Sequence, residues 1–146
     1  MNYFVSRENL LDRISKAAGS EEDFLALRDF IFDYYAAEDN YVFESEELEK
    51  IFAVLLPYLH FEEAFGDRQR TRRLKRLEMA LKEEFTPESA VLALEYERIS
   101  SLLRKLETEK ISDFVFKAQL RKLSPLDINW RKVLELYKAH PESYDE

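Results

Sequence analysis

The sequence predicts an all-α fold: one domain over residues 1–146, built as an antiparallel helical bundle or a short α-hairpin stack of six to seven helices. Three observations carry this. Only two glycines and four prolines occur in 146 residues, too few for the many tight turns of a sandwich or barrel. Helix-start signals recur along the chain, each followed by apolar residues at helical spacing. No stretch sustains the two-residue alternation of a half-buried strand. The hydrophobic fraction of 46% is enough for a core despite 36% charged residues.

The first helix is expected over about 6–18, with Ser6 as its cap and Val5 and Leu10 at staple spacing. Ser20 opens the second, 20–37, whose first turn carries Glu21, Glu22 and Asp23 where the helix dipole favours negative charge. This segment, FLALRDFIFDYY, is apolar nearly all round, which predicts a central core helix or one covered on two sides. Segments 45–56 and 57–65 follow; Pro57, which lacks a ladder donor and clashes with the preceding turn, should end or kink a helix there, and Gly66 is a stop for the next. Then come 68–84 and 87–106, the latter capped by Thr86 with Pro87 at its first position. The last two are 109–122 and 125–139, where Ser124 and Pro125 repeat that device with Leu123 and Ile128 as staple. Two of these eight segments are expected to merge.

The absence of cysteine excludes disulfides, thiolate metal sites and cysteine nucleophiles, and a cytoplasmic location is the natural expectation. No apolar run approaches the roughly 20 residues that span a bilayer, so no membrane partner is expected. The two histidines, His60 and His140, do not complete Glu-x-x-His motifs, and no metal site or cofactor is expected. The stretch DNYVFESEELEK fails as a calcium loop: Glu44 replaces the needed glycine and Lys50 the final bidentate Glu. Phosphate loops and nucleophile elbows are absent, so the chain is not expected to be an enzyme.

Charge patterning carries what functional signal there is. The formal net charge is -8, yet RQRTRRLKR at 68–76 holds six of the 22 Lys and Arg: Arg68, Arg70, Arg72, Arg73, Lys75 and Arg76. Leu74, Leu77 and Leu81 keep the apolar stripe of this helix, which predicts that the arginines project outward. There they repel one another at i,i+3 and i,i+4 unless carboxylates of the same chain, a partner or a polyanion neutralise them. The segment Asp29 to Asp67 carries eleven acidic residues and one base, and in its first part Phe30, Phe32, Tyr34, Tyr35, Tyr41 and Phe43 lie among Asp29, Asp33, Glu38, Asp39 and Glu44. It predicts an acidic-aromatic partner surface formed by Tyr34, Tyr35, Asp39, Tyr41 and Glu44.

Two functions follow as expectations. The first is a small acidic protein-interaction module (an adaptor, inhibitor or immunity-type protein) that binds a protein partner, a basic one by charge complementarity, or self-associates. The second is nucleic-acid or polyanion binding through the arginine-rich helix, since the guanidinium fork suits phosphate. A pI of about 5.0 and the lack of an aromatic in the basic run weigh against the second.

Overall fold

The computed structural model describes residues 3–36, 41–61, 67–124 and 127–139, with the side chains at 35, 57–61 and 67–70 outside the description. The described chain is mostly helical. In order it forms β1 (Tyr3–Val5), α1 (Arg7–Gly19), α2 (Glu21–Ala36), β2 (Tyr41–Phe43), α3 (Glu46–Phe61), α4 (Asp67–Glu83), α5 (Pro87–Leu94), α6 (Tyr96–Glu107), α7 (Asp113–Arg121) and α8 (Trp130–Ala139).

Short polar side chains start most of these helices by accepting from amides that lack intrahelical partners. Ser6 Oγ accepts from the Asn9 amide at 3.0 Å, Ser20 Oγ from Asp23 at 3.1 Å, Thr86 Oγ1 from Ser89 at 3.2 Å and Ser112 Oγ from Val115 at 3.2 Å. At the start of α1, Val5 and Leu10 are both fully buried.

Burial is densest at α5. Pro87 and every residue from Ser89 to Leu94 are buried, and α5 packs against α3, α4, α6 and α8. This short helix, rather than α2, is the one enclosed on several sides. α2 buries one face (Phe24, Leu27, Phe30, Ile31 and Tyr34) against α1 and α3, and leaves Glu21, Ala26 and Asp33 exposed. α1 lies between α2 and α4, while α7 packs against α6.

Four expectations need correction. First, β1 and β2 form a two-stranded parallel sheet, with Tyr3 paired to Tyr41, Phe4 to Val42 and Val5 to Phe43. Three residues are too few to display a two-residue period, and strands 36 residues apart leave no hairpin signal. Second, eight helices form among the described residues rather than six to seven, although α3 joins two expected segments by running through Pro57 to Phe61. Third, the expected helix 87–106 divides at Glu95 (φ -109°, ψ 20°). Finally, residues 127–129 are not helical; α8 begins at Trp130, where Asn129 Oδ1 accepts from the Lys132 amide at 3.2 Å. Ile128 is buried ahead of that cap, so core packing and a competing Asn displaced the Ser-Pro start. Gly66, Pro125 and His140 lie outside the described residues, as does the side chain of His60.

Candidate interaction surfaces

The segment rich in aromatics folds inward. Phe30, Tyr34, Phe43 and Phe52 form a close ring cluster, with Tyr34–Phe43 and Phe43–Phe52 centroids each 5.0 Å apart in edge-on geometry. Tyr41 joins it 5.4 Å from Tyr34, and Tyr3 stacks on Tyr41 at 5.7 Å. The polar ends are satisfied: the Tyr34 hydroxyl donates to Glu49 Oε1 at 2.8 Å, and that of Tyr41 to the Phe30 carbonyl at 2.9 Å. Burial pushes the Tyr41 hydroxyl above its ordinary pKa, helped by Asp33 and Tyr3 and opposed by Arg13.

Two members of the expected acidic-aromatic surface, Tyr34 and Tyr41, are therefore corrected. Tyr34 is only 7% exposed, and the Tyr41 ring sits against the core. Glu44 is exposed but serves a structural role, since its Oε2 accepts from the Arg7 amide at the N-terminus of α1, 2.6 Å away. An anion there complements the helix dipole. The side chain of Tyr35 and all of Asp39 lie outside the described residues. The physical reason is simple: a buried aromatic contributes about 1.5–3 kcal/mol, which outweighs keeping it at the surface for a partner.

What the sheet does leave at the surface is a different set. Phe4 is 60% exposed, its register partner Val42 46%, and the neighbouring Tyr3 49%. Side chains alternate across a sheet, so residues 4 and 42 share the outward face while 5 and 43 turn inward. Among the described residues no third strand pairs with either edge. Exposed carboxylates stand close in sequence on both sides: Asp29 and Asp33 on α2, Glu44 after β2 and Glu46 at the start of α3.

The basic run is split by the packing of α4. Arg76 is only 4% exposed, contrary to the expectation that it projects outward. Its Nη1 donates to the Ala93 carbonyl at 3.1 Å and its Nη2 to Glu97 Oε1 at 2.8 Å, and its guanidinium lies 4.8 Å from the Tyr96 ring centre. Arg73 Nε stands 3.9 Å from Glu97 Oε2. Thus two cations of α4 clasp the α5–α6 junction, where the last carbonyls of α5 need donors. The pairing carboxylate comes from α6 rather than from the acidic stretch. Burial pushes Glu97 up, but the Arg76 hydrogen bond, its own backbone amide and the charges of Arg76 and Arg73 together hold it below its ordinary value. Beside it, Glu95 is pushed up by burial, which Arg98 and Arg73 only partly offset. Arg72 and Lys75 are exposed, and the side chains of Arg68 and Arg70 lie outside the described residues.

No group of three or more metal-ligating side chains occurs among the described residues. No helix there is long and apolar enough to cross a membrane. The chain matches no protein-family model, no curated protein and no solved structure.

Proposed function

We propose that this chain is a protein-interaction module that acts, without catalysis, by occupying a protein partner, and that it docks that partner on the β1–β2 sheet. The observation that supports the reading is the pair Phe4 and Val42, register partners that both face solvent on a sheet whose two edges take no further strand among the described residues. Open edges offer main-chain hydrogen bonds to an extended segment, and outward apolar side chains give it something to bury. Asp33, whose charge reaches Tyr41 of β2, and the exposed Glu46 just after β2 favour a segment carrying Lys or Arg, by steering and by complementarity. The polyanion reading at 68–76 loses support, because Arg76 and Arg73 serve the α5–α6 junction.

Selection of displayed peptides on the immobilised protein tests this. Enriched sequences should alternate apolar residues with Lys or Arg. The double variant Phe4→Ser, Val42→Thr should weaken their binding about tenfold or more, because truncated apolar anchors dominate such losses. Equal binding by that variant would reject the sheet as the docking surface; no enrichment on the wild-type protein would reject the module itself.

A further inference from the structure

Positive charge withdrawn at Arg76 is available elsewhere. Residues 98–138 contain ten Lys and Arg against five Asp and Glu, a local excess of five positive charges in a chain of net charge -8. Three of the ten are engaged: Arg98 with Glu95 at 3.4 Å, Lys117 with Asp113 at 3.1 Å and Lys132 with Glu84 at 3.1 Å. The other seven, Arg121, Lys122 and Arg131 among them, form no ion pair among the described residues.

The placement of α7 organises part of this charge. Phe116 and Leu120 are buried on the side that meets α6. Phe114, Lys117, Ala118 and Arg121 follow the i, i+3, i+4, i+7 spacing of a single stripe, and all four are exposed. Phe114 is 81% exposed, the most of any large apolar side chain described. At the far end of the stripe, Arg121 also lines a cleft of about 570 Å³, together with Arg131, Ser124, Asn129 and the ring of Trp130; Asp127 gives one rim of it negative charge. The helix dipole accounts for cations such as Arg121 and Lys122 at the end of α7, by a few tenths of a kcal/mol each. It does not account for an aromatic ring held in water one turn from Lys117.

We propose that this face, from Phe114 through Lys117 and Arg121 to the Arg131–Trp130 cleft, binds single-stranded nucleic acid. Each unit of such a ligand carries one negative charge and one flat ring, and the face offers partners for both: Phe114 and Trp130 for rings, Lys117, Arg121 and Arg131 for charges. Guanidinium groups donate paired hydrogen bonds to phosphate. Exposed aromatic rings stack on bases, and only unpaired bases present a free face to them. From residue 114 to residue 121 the helix rises about 10 Å. That is the length of about three stacked nucleotides at 3.4 Å each. An acidic protein segment would use the cations equally well, but it does not repeat a flat ring with every charge, as a nucleotide chain does. The proposal is independent of the sheet and of any partner bound there.

The test is fluorescence anisotropy of labelled oligothymidine and oligouridine of about 12 nucleotides, long enough to cover the stripe and the cleft. With three phosphate contacts (Lys117, Arg121 and Arg131), log Kd should rise with log salt at a slope of about 2, or about twenty-fold between 50 and 200 mM. Phe114→Ala should weaken binding about tenfold at an unchanged salt slope. Lys117→Glu with Arg121→Glu should abolish binding, while Arg72→Glu with Lys75→Glu on α4 should leave it unaltered. All these positions are exposed, and circular dichroism checks that each variant folds. No binding at low salt overturns the proposal, as does loss confined to the α4 variant. Displacement by polyglutamate with no effect of Phe114→Ala also overturns it, and assigns the face to an acidic protein segment instead.

Discussion

Arg76 is buried to 4% exposure, and its surroundings set what its loss does. Removing one member of a buried pair leaves the other uncompensated, which costs about 3 kcal/mol; half-exposure of Glu97 keeps this at the low end of the usual range. Arg76→Ala should therefore lower the melting temperature by about 10 °C. Arg76→Lys should recover only part of that, because an ammonium cannot fork between Ala93 and Glu97 while covering the Tyr96 ring. The two neighbouring carboxylates should respond to pH with opposite signs. Glu97 lies below its ordinary value of 4.5 when folded, so its contribution is full above that value and lost as pH falls through the folded one. Glu95 lies above 4.5, so the stability contributed by its protonated form is present below that value and lost as pH rises through the folded one. Thermal melts between about pH 7 and pH 3 should show Glu95→Gln stabilising and Glu97→Gln destabilising at the neutral end, with both differences shrinking on acidification. The same sign for both at pH 7 would contradict this assignment. In the sequence Arg76 reads as one more member of a charged run. A faint signal was present: Leu74, Leu77 and Leu81 alone make a narrow stripe, and Arg73, Arg76 and Ala80 border it at helical spacing on one side.

At the scale of elements, local chemistry predicted starts better than stops. Ser6, Ser20 and Thr86 cap as their residue types suggest, because a short side-chain oxygen beside free amides acts within three residues. Thr86→Ala should thus cost about 1 kcal/mol, felt by the whole core because α5 is enclosed on several sides. The end of α6 had no such signal. Glu109 adopts φ 58°, the positive-φ conformation that usually calls for glycine, while the Glu109 amide donates to the Leu106 carbonyl at 3.1 Å and that of Lys110 to Lys105 at 2.9 Å. Those two bonds hold a non-glycine residue in a strained region. Glu109→Gly should stabilise by about 0.5–1 kcal/mol, measured by denaturant midpoint; a loss would mean that the glutamate side chain contributes more than its backbone costs. The β1–β2 pair and the Asn129 start of α8 were not legible for a related reason. Each depends on what packs elsewhere, such as Tyr3 and Phe43 meeting α2 and α3 rings, or Ile128 entering the core before the helix begins.

For the whole molecule, the helical class followed from composition and spacing, but the order of packing did not. The most apolar-looking helix in sequence, α2, lies on one side of the core, while the eight-residue α5 occupies its middle. Small side chains make this possible: Ala90 and Ala93 let α5 approach its neighbours closely, and a helix so short shows little of the periodicity that draws notice in a sequence. Tyr34 and Arg76 were misplaced for the same reason, since packing drew the aromatics of α2 and two arginines of α4 inward and left Phe4, Val42 and Phe114 outside. A hub of this kind has a measurable consequence. Leu92 is fully buried on α5, which touches α3, α4, α6 and α8. Leu92→Ala should cost about 2–5 kcal/mol through lost burial and the cavity left behind. Because the hub is shared, Trp130 fluorescence, which reports α8, and far-ultraviolet circular dichroism, which reports all helices, should shift by the same amount and remain coincident. If the Trp130 signal alone moved, α8 and its neighbours would melt apart from the helices around α1 and α2. Coincident curves would mean that α5 couples the β1–β2 end to the α7–α8 face, so that each proposed surface depends on the integrity of the same eight residues.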